Sequence, residues 1–156
     1  MARRNRRDLD GEIHHVISRG NRGQDIFLGA DDGRADRERF QLALGTIPGA
    51  YAIRFLADCL MRNHVHLVVA GPVAEVSRAI GRLLQDHAEH INREHGLDGR
   101  LVQGRFWSEP IARTAHLAAV IRYTLRNPVA AHIVARPWDY EWSSAAALVG
   151  LAPPPP

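Results

Sequence analysis

The chain has 156 residues, 46% of them hydrophobic, and carries a formal net charge of +3 with a pI near 9.7. That is enough for one domain with a real core, and no apolar run approaches the ~20 residues that a membrane span needs. The lone cysteine, Cys59, cannot close an internal disulfide and no secretory leader pattern opens the sequence, so a reducing cytoplasm is the expected setting.

Arg3, Arg4, Arg6 and Arg7 crowd the first seven positions, and residues 1–11 read as a basic arm. "EIHHVISRGN" (residues 12–21) alternates Ile13, His15 and Ile17 against His14, Val16 and Ser18, then ends in a Gly-Asn turn, as a strand does. Acidic residues gather in "DDGRADRER" at the head of a helix predicted over 31–47, where Phe40, Ala43, Leu44 and Ile47 recur at helical spacing. Residues 50–61 alternate as a strand, and the Arg62-Asn63 turn joins them to "HVHLVVA" (64–70) in a hairpin. Pro72 opens a long helix whose stripe is Val76, Ile80, Leu83, Leu84, His87 and Ile91, stopped by Gly96. A Gly-rich loop leads to a strand over 106–111. Thr114 then caps a helix over 115–127, ended by Pro128. An aromatic segment, "ARPWDYEWSS", and a proline tail (151–156) close the chain. Residues 12–150 therefore form one domain. The order β-α-β-β-α-β-α predicts an α+β fold, a ferredoxin-like antiparallel sheet with helices packed on one face.

Every basic side chain other than histidine is arginine. A GC-rich coding sequence would give the same usage, but the distribution says more. Arg113, Arg122, Arg126 and Arg136 fall in a stretch, 111–138, without one acidic residue. Guanidinium forks match phosphates, and clustered positive segments suit a polyanion. Nucleic acid is the leading partner class.

His64 and His66 stand one residue apart on a strand, so both project from one face while Val65, Leu67 and Val69 take the other. Neutral imidazole is a common ligand for divalent metal. A hydrogen-bonded structural pair is at least as common, so a third ligand and a nucleophile are needed to tilt the reading. "RYTLRNP" supplies candidates. Tyr123 and Asn127 are four apart, one turn along one helix face, beside an apolar stripe of Leu117, Val120, Ile121 and Thr124. A tyrosine at a core edge and an asparagine capping a helix before proline are the plain alternatives. The flanking Arg122 and Arg126 favour a phosphate.

"ISRGN", "LMRNHVHLVV", "VQGRF", "RYTLRNPVAA" and "WDYEWSS" occur in the order found in the single-tyrosine HUH transposases. The sequence most resembles their REP-associated tyrosine transposase branch, relatives of the IS200-like enzymes, over nearly its whole length. The resemblance implies that His64 and His66 bind a divalent metal (Mg²⁺ or Mn²⁺), that Tyr123 is the nucleophile, and that Asn127 assists at the metal. It implies single-stranded or hairpin DNA as substrate, cleaved through a covalent 5′-phosphotyrosine. Arg3, Arg4, Arg6, Arg7, Arg19, Arg105, Arg122 and Arg126 are then the expected DNA contacts. No membrane or small-molecule cofactor is expected, and the protein would act as a monomer or homodimer. Two departures stand out: Arg62 replaces the proline of the family's "MPNHVH", and "NPVAA" replaces "NPVRA".

Phe106, Trp107, Trp138 and Trp142 are candidate platforms for unstacked bases, although such residues are more often core. A domesticated, non-catalytic nucleic-acid-binding domain is the main alternative function, although it need not keep all of His64, His66, Tyr123 and Asn127. A metal hydrolase without a covalent intermediate would need a carboxylate beside the histidines, and Asp58 is the candidate.

Overall fold

The computed structural model describes residues 13–112 and 114–153. Four strands, β1 (Ile13–Arg19), β2 (Arg54–Leu60), β3 (His64–Ala70) and β4 (Trp107–Pro110), form one sheet in the order β2-β3-β1-β4. Every neighbouring pair is antiparallel, so the expected ferredoxin-like α+β fold is the one observed. The basic arm and the end of the proline tail lie outside the described residues, as does Arg113.

Alternation along β1 and β3 decides what each sheet face carries. Val16, Val65, Leu67 and Val69 point to one side and are fully buried. That side is covered by α1 (Ala30–Ala50), through Phe40, Leu44 and Ile47, and by α2 (Val73–His95). The predicted α2 stripe is buried throughout, and Gly96, in the left-handed region at φ 61°, closes the helix where expected. The start of α1 differs from expectation. Asp31, Asp32 and Gly33 are left-handed (φ 52°, 55° and 68°), so regular helix begins only after them. A side chain at Gly33 would put Cβ 2.7 Å from the Phe27 carbonyl carbon, so only glycine allows this close turn.

The expected placement of helices on one face holds for α1 and α2 only. The third long helix, α3 (Thr114–Ala130), crosses to the opposite face, where Leu117, Val120, Ile121 and Leu125 pack on Ala57, Val68 and Ile111. Nor does α3 stop at Pro128. A proline inside a helix removes one N–H donor, which orphans the carbonyl four residues back. Here the Asn127 amide nitrogen donates to the Thr124 carbonyl at 3.3 Å and to that of Tyr123 at 2.9 Å, so the helix carries on to Ala130.

The aromatic segment after α3 is a clasp. Tyr140 Oη donates to the Leu60 carbonyl at 2.7 Å, and the Leu60 N–H donates to the Trp142 carbonyl at 2.8 Å. Arg37, fully buried, sits over the rings of Phe27 (5.0 Å) and Trp142 (5.6 Å) and pairs with Asp32 at 3.0 Å. Trp142 is therefore core, as is Phe106. Among the described residues no helix is long and apolar enough to cross a membrane.

Candidate functional site

Because β1 and β3 pair with Arg19 opposite His64 and Ile17 opposite His66, one sheet face gathers His15, Arg19, His64 and His66. His15, not His14, is the first-strand histidine on this side. His15 Nε2 lies 3.1 Å from His66 Nδ1, and the two rings stack with centroids 5.3 Å apart. The His64 and His66 rings meet edge to face at 5.0 Å. His64 Nδ1 lies 2.7 Å from the side-chain oxygen of Asn63, whose amide nitrogen donates to the Gly23 carbonyl at 3.3 Å.

The apolar face of α3 fixes what stands above the histidines. Leu117, Val120, Ile121 and Leu125 hold the helix to the sheet, and this rotation brings Tyr123 over the histidine cluster. The tyrosine ring lies 5.6 Å from His66 and 6.0 Å from His15, edge-on to both. It stays 56% exposed, so an incoming group can reach it, and its hydroxyl has no partner among the described residues. A core-edge tyrosine serving only as packing would be better covered. Arg122 and Arg126 flank it and are exposed.

Burial makes these histidines poor bases. Desolvation lowers His66 to about 3, with His64, His15 and Arg19 adding smaller repulsions. Desolvation, then Arg19, lowers His64 to about 4, and desolvation, then His116, lowers His15 to about 4. All three are neutral at physiological pH, the form in which imidazole ligates metal. His64 and His66 each engage Nδ1 with a neighbour, which leaves Nε2 as the donor atom. This donor set fits a divalent cation bound by two imidazoles, with its other positions open to water or substrate oxygens. Among the described residues no three His, Cys, Asp or Glu side chains converge as a cage, so the protein alone offers only an open site.

The hydrolase reading loses its carboxylate. Asp58 pairs across β2 and β3 with Leu67, on the core side, while Cys59 is the residue opposite His66. Burial pushes the Asp58 carboxyl up to about 6, with the hydrogen bond from Ser144 opposing the rise. Asn127 is not drawn to the histidines either: its amide nitrogen is turned onto its own helix, one turn beyond Tyr123. Arg105 and Arg19, with Ile17, Gln103 and Trp107, line a recess of about 280 Å³ beside the cluster. Trp107 is 45% exposed, the only one of the four aromatic candidates to open beside the histidines. Arg3, Arg4, Arg6 and Arg7 lie outside the described residues. His15 and Asn63 are the site residues that sequence reasoning left without a role. Strand parity marks His15 only once the β1–β3 register is known.

A family model described as "Transposase IS200 like" matches residues 12–114, well over half of the chain. The fold is also that of solved structures. One, a REP-associated tyrosine transposase bound to a REP hairpin, superposes with a TM-score of 0.70 at 19% identity, covering 98% of this chain and 88% of that one. Another, a putative transposase from Deinococcus radiodurans R1, gives a TM-score of 0.50 at 16% identity, covering 81% of this chain and 97% of that one. No curated protein matches by sequence.

Proposed function

The chain belongs to the IS200-like transposase family, and from that premise we propose that it is a metal-dependent single-stranded DNA endonuclease and strand transferase with Tyr123 as nucleophile. The observation that carries this reading is the Tyr123 ring standing 5.6 Å from His66, half-exposed over an open pair of neutral histidines. His64 and His66, with Asn127 after a rotamer change, would hold Mg²⁺ or Mn²⁺. When bound, the ion would neutralise charge on a non-bridging oxygen of the scissile phosphate.

The remaining chemistry belongs to the side chains. Tyr123 Oη gives up its proton as it attacks phosphorus in line, the P–O3′ bond breaks, and the 3′ oxygen takes up a proton in exchange and leaves as a free hydroxyl. The 5′ phosphate stays esterified to the phenol, so the bond energy is kept and a 3′-OH can reverse the step onto another strand. Arg122, Arg126, Arg19 and Arg105 would bind the backbone on either side, with the N-terminal arginines adding reach. The hairpin bound by the similar REP-associated transposase makes a hairpin-forming repeat the first substrate to try. The protein would work in the cytoplasm, on nucleoid DNA.

The test is a trapped adduct. With Mn²⁺ and a single-stranded or hairpin substrate, the wild-type protein should yield a denaturation-resistant complex with 5′-phosphate DNA and a fragment ending in 3′-OH. Tyr123→Phe should form none yet shift the same DNA in a gel. Cleavage by the phenylalanine variant at the wild-type rate would overturn the covalent mechanism, and DNA binding with no cleavage under any metal would leave a binding module.

A further inference from the structure

Two imidazoles serve as ligands only if the right nitrogen of each is bare, and this fold carries a partner for the other nitrogen of both. Resting on the metal-centre reading above, we propose that Asn63 and His15 are positioning residues that hold His64 and His66 as Nδ1–H tautomers, keeping both Nε2 lone pairs for a divalent cation. The chain of hydrogen bonds fixes the sense at His64. Gly23 presents a carbonyl, which only accepts, so the Asn63 amide nitrogen must be the group 3.3 Å from it. The amide oxygen then faces His64 at 2.7 Å and can only accept, so His64 Nδ1 donates. A neutral ring carries one N–H, so Nε2 of His64 is bare. The main chain locks the arrangement, because the Asn63 carbonyl also accepts from the Gly20 N–H at 2.8 Å, tying the hairpin turn to the end of β1.

His66 meets another imidazole, and one proton lies between them at 3.1 Å. With the proton on His66 Nδ1, His15 accepts at Nε2 and His66 keeps Nε2 for metal. With the proton on His15, His66 would carry its own on Nε2 and be lost as a ligand. His15 is buried and meets Trp107 (5.7 Å) and Tyr123 (6.0 Å) edge to face, so its ring is held beside His66 Nδ1, where acting as acceptor leaves His66 Nε2 bare. Ligand histidines are commonly oriented in this way by an acceptor behind them, and losing it costs about 10- to 100-fold in metal affinity.

The test reads the tautomer directly and needs no DNA. In metal-free protein with ¹⁵N-labelled histidine at pH 7.5, His64 should show a protonated Nδ1 and a bare Nε2, and Asn63→Ala should shift it toward the Nε2–H form. His15→Phe, which keeps a ring in the stack, should weaken Mn²⁺ binding by about 10- to 100-fold. His15→Gln, which restores an acceptor at the position of Nε2, should recover most of the loss. A wild-type His64 protonated on Nε2, or unchanged Mn²⁺ affinity in His15→Phe, would overturn the assignment. Should His64 hold its Nδ1–H form while wild-type protein binds no Mn²⁺, the tautomer lock stands and the metal-centre reading falls.

Discussion

His87 is the sharpest probe of how much this fold depends on neutral imidazoles. It lies on the buried stripe of α2, tilted against Phe27 and edge to face with Phe40 at 5.0 Å from each, with Nε2 2.7 Å from the Ile26 carbonyl. Burial is the main cause that lowers it from 6.5 to about 4, opposed in part by the bond to Ile26. A folded-state value below the unfolded one means that the unfolded chain takes up the proton first. The stabilisation is therefore full above about 6.5 and is lost as pH falls toward 4. Linkage between pH 7.5 and 5.5 gives a loss of about 1.3 kcal/mol from this one residue. His87→Gln keeps an N–H donor for Ile26 but cannot ionise. Urea titrations followed by circular dichroism, on metal-free protein at both pH values, should show the variant losing about 1.3 kcal/mol less than wild type. His15, His64 and His66 titrate in both proteins and cancel in the difference. Equal losses would show that His87 is not held neutral by burial.

Chelation, or His66→Ala, should abolish cleavage of a single-stranded substrate while leaving DNA affinity nearly unchanged; full cleavage in excess chelator would refute the metal's role. Deleting residues 2–7 should flatten the salt dependence of binding by about 0.7 per lost phosphate contact in a log–log plot, and an unchanged slope would make the arm a passive tail. Trp107→Ala should weaken single-strand binding by about 1–3 kcal/mol in a fluorescence titration without lowering the melting temperature. Trp142→Ala should do the reverse, destabilising the fold by about 3–5 kcal/mol.

Periodicity made most of the fold legible. The α2 stripe and its Gly96 stop could be read residue by residue because one amphipathic surface faces one core. The alternation of β3 likewise put Val65, Leu67 and Val69 in the core and the two histidines on the other side. What could not be read depends on contacts distant in sequence. Whether His14 or His15 joins the site is settled by the register of β1 on β3, and the side taken by α3 by its apolar contacts with Ala57, Val68 and Ile111. The continuation of α3 past Pro128 rests on a side-chain cap that no propensity scale includes. Trp107 and Trp142 look alike in sequence, yet one opens beside the histidines while the other lies under Arg37.

The clasp made by the aromatic segment has a consequence for how such a sheet meets its neighbours. An open edge strand offers unpaired N–H and C=O groups to any other strand, and uncontrolled lateral pairing is the usual hazard. On β2 the hazard is met twice. Ser143 bridges Cys59, and Trp142 and Ser144 take up the backbone groups of Leu60 and Asp58, so the far half of the strand is already paired. The near half carries a β-bulge between Phe55 and Ala57, which breaks the ladder a newcomer would need. At the opposite edge β4 runs for four residues and ends in Pro110, which has no N–H to give. Among the described residues, both borders of the sheet therefore offer little unbroken ladder to a further strand.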